Sequence, residues 1–182
     1  RASEHPQPDQ VKAAVLRHFP HQYSTSPDGA PQGFAIDVLE EIAKIAHVEI
    51  EYVIKEDWQS VFESVKSGEA DLIPNQGITE RRKEWFSFTS PVETFPVSIF
   101  TRETRDDLSS LSSLDEKTVA VIKLNVGEVL ATQRPAVRVD RYEHIQDALL
   151  ALLSGNVDAL IYPEPVLWKL ARDAGIDDKI KT

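Results

Sequence analysis

Apolar and polar positions change period several times along the chain, and each change marks an element. Residues 11–18 form a short apolar run that predicts a strand, and 19–33 are rich in turn formers, including the Asp28-Gly29 pair. Phe34, Val38, Ile42 and Ile45 then fall at i, i+4, i+8 and i+11, one stripe of an amphipathic helix with Glu40, Glu41 and Lys44 facing elsewhere. Alternation over 48–54 predicts a strand, 58–66 reads as a helix, and 70–74 as a short buried strand ended by proline. This β-α-β-α-β order calls for an α/β layer with helices covering a largely parallel sheet.

A second cycle follows, with strands expected at 119–123, 136–140 and 158–162 and helices at 127–133, 143–153 and 165–174. Both cycles carry the same signature at the same place, Ser67-Gly68-Glu69-Ala70-Asp71-Leu72-Ile73 and Ser154-Gly155-Asn156-Val157-Asp158-Ala159-Leu160. A glycine in the left-handed conformation stops a helix, the chain turns, and the apolar run enters the sheet. The expectation is two similar α/β lobes: a proline-bearing tether over 1–10, lobe 1 over 11–99, a hinge or crossover over 100–106, and lobe 2 over 107–182. A single extended connection is where a few residues absorb rotation, and the place between lobes is where ligands bind.

Composition narrows the function. A formal net charge of −10 does not suit a nucleic-acid or anionic-membrane surface, so no nucleic-acid partner is expected. With no cysteine, disulfides, zinc ribbons and thiol nucleophiles are excluded. Methionine is absent even at position 1, which reads as a processed or excised segment whose leader or anchor is not in view. The run Ala148-Leu149-Leu150-Ala151-Leu152-Leu153 falls far short of the ~20 apolar residues that cross a bilayer, so this part is expected to be soluble.

Thr79-Glu80-Arg81-Arg82-Lys83-Glu84 carries the clearest chemistry. A threonine cap opens a short helix just after Gly77, and free backbone N–H groups with a guanidinium one turn on suit a carboxylate. Thr79 and Arg82, at i and i+3, share a face that Arg81 does not, although a solvated charged turn would show the same spacing. Tyr23 and Trp58 stand at strand–helix junctions on one sheet edge, where either could stack on a ligand; surface phenol and core packing are the plainer readings. Among the histidines only His18 and His21 are close, with Pro20 between them, so no metal is expected. Neither a Gly-x-Ser-x-Gly elbow nor a phosphate-binding Gly-x-x-x-x-Gly-Lys loop occurs, and no catalytic residue or cofactor is expected.

Gly77-Ile78-Thr79-Glu80-Arg81-Arg82, followed by Phe86-Ser87-Phe88-Thr89-Ser90-Pro91, resembles the extracellular solute-binding proteins of family 3, which have the type II periplasmic-binding-protein fold. Asp28-Gly29-Ala30-Pro31-Gln32-Gly33-Phe34 with Asp37, Trp58 with Gly68 and Asp71, Asp158-Ala159, and Glu164-Pro165-Val166 extend the likeness in order from Val11 to Ala174. The resemblance implies an exported, periplasmic or otherwise extracytoplasmic domain that captures a small carboxylate-bearing ligand between two lobes by hinge closure. Its partner would be a membrane permease or a fused transmembrane signalling module, with a lean toward the sensor branch. The alternative is an enzyme on the same fold, such as a cyclohexadienyl dehydratase, or an accessory domain of a lytic transglycosylase.

Carried over by residue, the family's carboxylate-binding arginine falls on Arg82, with Thr79 opening its helix and Asn75 and Gly77 on the approach. Gly77 stands where a hydroxyl residue is usual. In lobe 2 the glycine-hydroxyl-hydroxyl turn aligns with Leu124-Asn125-Val126, keeping N–H donors at a helix start without the hydroxyls. The aspartate that grips an α-ammonium aligns with Pro163, which cannot do so; Glu164 is adjacent and is also the acid or base an enzyme would use. Because burying an ammonium without a carboxylate is costly, the expected ligand need not be a standard α-amino acid. The family's return segment to lobe 1 is not in this sequence, so self-association through an incomplete lobe 1 is a further expectation.

Overall fold

The computed structural model describes residues 9–182, so the expected tether lies outside the described residues as far as residue 8. The chain forms two compact units that divide after Gln76.

In the first unit, β1 (Gln10–Leu16) is followed by a small antiparallel pair, β2 (Ser24–Thr25) and β3 (Pro31–Gln32), then α1 (Phe34–Ala46), β4 (Glu49–Lys55) and α2 (Trp58–Lys66). β1 pairs with β4 in parallel, from Gln10 opposite Glu49 to Leu16 opposite Lys55. Ala13, Ala14, Val15 and Leu16 are buried, the continuous apolar run expected of a strand covered on both faces. Asp57 caps α2 by accepting from the Ser60 N–H at 2.7 Å.

Two expectations are corrected in this unit. α1 packs through Ala35, Ile36, Leu39 and Ala43, whereas Phe34, Ile42 and Ile45 of the expected stripe are 40%, 52% and 80% exposed. Both stripes are apolar, and small side chains on the neighbouring one let the helix lie closer to its support. Residues 70–74 make no strand but a single parallel bridge, Ala13 to Leu72. Beside it the Asp71 carboxylate takes the Lys12 N–H at 2.8 Å, and Pro74 has no N–H to extend a ladder.

The second unit contains α3 (Glu80–Lys83), β5 (Val97–Arg102), a 3-10 turn at Leu111–Leu114, β6 (Thr118–Ile122), α4 (Val126–Thr132), β7 (Arg138–Tyr142), α5 (Ile145–Ser154), β8 (Ala159–Pro163), α6 (Glu164–Asp173) and β9 (Ile180–Lys181). Its sheet runs β7-β6-β8-β5-β9, with β7, β6 and β8 parallel and β5 antiparallel to both its neighbours. Leu114, Val119, Val121, Ala131, Ala159 and Ile161 form its apolar centre. Residues 100–102 of the expected crossover belong to β5. Phe100 is fully buried with its ring 5.4 Å from that of Trp168, and Arg102 Nη1 donates to the Leu152 and Val157 carbonyls at 2.7 and 2.9 Å.

The repeated signature has one structural meaning in both units. Gly68 and Gly155 take φ of 79° and 82°, the left-handed region glycine enters without a Cβ clash. Asp71 then donates its N–H to the Lys12 carbonyl and accepts the Lys12 N–H on its carboxylate, each at 2.8 Å. Asp158 does the same to Thr118, at 2.8 and 2.9 Å. Each aspartate thus pins the first parallel strand of its unit, at Lys12 within β1 and at Thr118 where β6 opens.

Candidate ligand-binding site

α3 begins where Thr79, extended at φ −137°, turns its hydroxyl to accept the Arg82 N–H at 3.2 Å. This cap fixes the register: Arg81 is exposed and Arg82 half-buried. Arg82 Nη1 donates to the Gly77 carbonyl at 2.7 Å, and Nη2 donates to the Leu124 carbonyl. Burial lowers the guanidinium pKa to about 10, still charged at neutral pH. Gly77 leaves the room this needs, since a Cβ there would lie 3.2 Å from Arg82 Nη1 and 3.6 Å from the Val126 Cβ.

The Leu124-Asn125-Val126 turn is more occupied than expected. Asn125, 4% exposed, caps α4 by accepting the Gly127 N–H at 3.1 Å, and donates its own N–H to the Ile122 carbonyl at 3.0 Å. The Leu124 N–H goes to Glu128 Oε2 at 2.8 Å and the Glu128 N–H to the Asn125 carbonyl at 3.1 Å. Among the described residues the Val126 N–H has no such engagement, so the turn offers one donor where several were expected.

In the first unit, Tyr23 and Asn75 are brought together, but the ring is 1% exposed and is not presented for stacking. Its hydroxyl donates to the Asn75 carbonyl at 2.6 Å and accepts the Asn75 N–H at 2.7 Å, while Asn75 Nδ2 donates to Gln22 Oε1 at 2.6 Å. Burial pushes the Tyr23 phenol well above its ordinary range. Trp58 is 7% exposed, stacked on Phe62 and edge-on to Phe19 and Tyr23, with its Nε1 buried and without a hydrogen-bond partner among the described residues. Both aromatics, which the sequence left open as stacking or packing residues, are packing residues here; Tyr23 holds the backbone that leads to Gly77.

Glu164 opens α6, donates its N–H to the Pro96 carbonyl at 2.9 Å, and accepts the Ser98 hydroxyl on Oε2. Among the described residues no group of three or more acidic or histidine side chains is placed to hold a metal ion. No described helix is long and apolar enough to cross a membrane. Sequence reasoning missed Glu128 and the bent backbone of Leu124. An acidic residue in the first turn of a helix, reaching back to an N–H before it, is a signal that could have pointed to Glu128.

The sequence profile of the bacterial extracellular solute-binding proteins, family 3, matches residues 11–161, and the chain belongs to that family. It is 27% identical over 171 residues to the probable amino-acid-binding protein YxeM of Bacillus subtilis, covering 92% of this chain and 64% of that protein. It is 25% identical over 152 residues to the virulence sensor protein BvgS of Bordetella pertussis, covering 83% of this chain and 12% of the sensor. The chain therefore spans less than two thirds of either relative. Among solved structures, an ancestral arginine-binding protein bound to arginine superposes with a TM-score of 0.84 at 24% identity, over 96% of this chain and 78% of that one. This establishes the two-lobed type II fold. Membership in the family gives solute binding as the coarse function, and both relatives carry the names of binding or sensor proteins.

Proposed function

We propose that this domain captures a small carboxylate-bearing solute through the Arg82 guanidinium, coupled to hinge closure, outside the cytoplasm. The supporting observation is Arg82 itself: half-buried, positively charged, and aimed by the Thr79 cap and the Gly77 carbonyl. A charge-assisted, planar donor pair in partial burial is the arrangement that recognises a carboxylate in two-pronged fashion. Pro163 at the start of α6 offers no side-chain acceptor for an ammonium, and Glu164 is already engaged by Ser98. This favours organic acids over standard α-amino acids. The names of YxeM and BvgS fit transport and signalling equally, so a permease or a fused membrane sensor is the proposed partner.

The test is a calorimetric screen of simple carboxylates against L-amino acids, with Arg82→Ala as the comparison. One charge-assisted hydrogen bond contributes about 1.5–3 kcal/mol, so the variant should bind at least about tenfold more weakly. Unchanged affinity in Arg82→Ala would place recognition elsewhere. Tight binding of ordinary L-amino acids, with no response to simple carboxylates, would overturn the choice of ligand class.

A further inference from the structure

We propose that Glu128 is a positioning residue that sets how available Arg82 is to a ligand. It does so by holding Leu124 in a backbone conformation whose carbonyl competes for the guanidinium. This rests on the reading of Arg82 as the carboxylate-binding group.

Leu124 sits at φ 61°, the left-handed region that a branched, bulky side chain disfavours. Such a conformation persists only where its surroundings over-determine it, and here both of its peptide groups are tied. Its N–H is taken by Glu128 Oε2 at 2.8 Å, and the other oxygen of that carboxylate is fixed by Arg141 Nε at 2.6 Å. Its carbonyl is taken by Arg82 Nη2. Glu128 in turn rides on α4, which is seated on β8 through Gly127, where any Cβ would meet the Ile161 carbonyl oxygen. Arg141, Glu128, Leu124 and Arg82 therefore form one continuous series of polar contacts anchored on the sheet.

Nη2 carries two N–H groups, and a ligand carboxylate that grips the guanidinium edge engaged by Leu124 competes with this carbonyl for one of them. The apparent dissociation constant is the intrinsic one divided by the fraction of molecules whose guanidinium is available. Holding Leu124 in place keeps that fraction low, and Glu128 is the group that holds it. Removing the carboxylate lets Leu124 relax toward negative φ and turns its carbonyl away.

The test follows the Arg82 guanidinium by ¹³C and ¹⁵N NMR during titration with sodium acetate, against sodium chloride at equal ionic strength. Glu128→Ala should bind acetate about tenfold more tightly than the unaltered chain. Glu128→Gln, which retains an oxygen for the Leu124 N–H, should stay within about twofold, and Arg141→Gln should fall between. The rotation rate about the Arg82 Nε–Cζ bond, measured without acetate, should rise in Glu128→Ala and not in Glu128→Gln; a general loosening of α4 would not separate the two. If Glu128→Ala binds acetate equally or more weakly while the Arg82 signals still respond, the competition is absent and the inference is overturned, with the carboxylate-binding reading intact. If acetate moves the Arg82 signals in none of the proteins, that reading fails and takes the inference with it.

Discussion

Replacing Gly127 with alanine tests how α4 is held against the sheet. A Cβ at this position would lie 2.2 Å from the Ile161 carbonyl oxygen and 3.0 Å from its carbon, both backbone atoms that cannot rotate aside. Ordinary carbon–oxygen contacts begin near about 3.3 Å, so helix and strand must part by about 1 Å. Forcing an extra methyl group into packed structure costs about 1–3 kcal/mol, and an unyielding neighbour puts this site at the upper end. Alanine returns about 0.5–1 kcal/mol through its better helix propensity, leaving a net loss of about 2 kcal/mol. Urea unfolding followed by the fluorescence of Trp168, with Trp58 and Trp85 replaced by phenylalanine, reports this unit. At a slope near 2 kcal/mol/M the midpoint should fall by about 1 M. Gly175→Ala is the control: its φ is left-handed, at 67°, unlike that of the helical Gly127, but no described atom lies within 4 Å of a Cβ there, so only the conformational cost of about 1 kcal/mol applies. An unchanged midpoint in Gly127→Ala, or a smaller shift than in Gly175→Ala, would refute the steric argument.

Tyr23→Phe removes the group that satisfies both the N–H and the carbonyl of Asn75. Leaving partly buried backbone groups unpaired should cost about 2 kcal/mol, with faster amide exchange at Asn75; unaltered exchange would show the hydroxyl to be dispensable. Asp158 offers a pH test. Burial acts to raise its pKa, but the Arg105 guanidinium and the Thr118 N–H outweigh burial and hold it below the ordinary 3.8. With the folded value lowered, the unfolded chain binds more protons across that window, so this stabilisation is present above it and is lost as pH falls through the folded value. Asp158→Asn should thus lower the melting temperature at pH 7 and flatten its decline in acid; melting curves that run parallel to those of the parent at every pH would contradict this.

Most of the longer strands and helices were legible in the sequence because strong local punctuation bounds them, whereas 70–74 proved a single bridge and the two-residue strands β2, β3 and β9 gave no signal. Asp57 before Trp58 and Gly155 after Ser154 act through hydrogen bonds and dihedral angles that reach only a few residues. The partial burial of Arg82 and the exposure of Arg81 were readable for the same reason, since one threonine cap sets the register. What escaped depended on partners distant in sequence. Phe34, Ile42 and Ile45 are as apolar as the face that is actually buried, and nothing local says which side meets the strands. The antiparallel entry of β5 between β8 and β9 is likewise invisible to periodicity, because alternation is the same in either direction. Tyr23 looked available because it lies in a loop, and only the return of the chain at Asn75 shows its hydroxyl to be spent. The hold of Glu128 on Leu124 required a left-handed leucine, which residue type alone argues against.

The position of β5 also orders events during synthesis. This strand, Val97–Arg102, leaves the ribosome well before β8 and β9, the strands that flank it on both edges. Until they emerge, its N–H and carbonyl rows are open to any extended segment nearby, including the same strand on a neighbouring nascent chain. Strands β1 and β4 and the Ala13–Leu72 bridge need nothing translated after Asn75 to form their ladder. The amino-terminal ladder can therefore form before the second sheet is complete, and the interval between the emergence of Arg102 and of Lys181 is when a chaperone would contribute most.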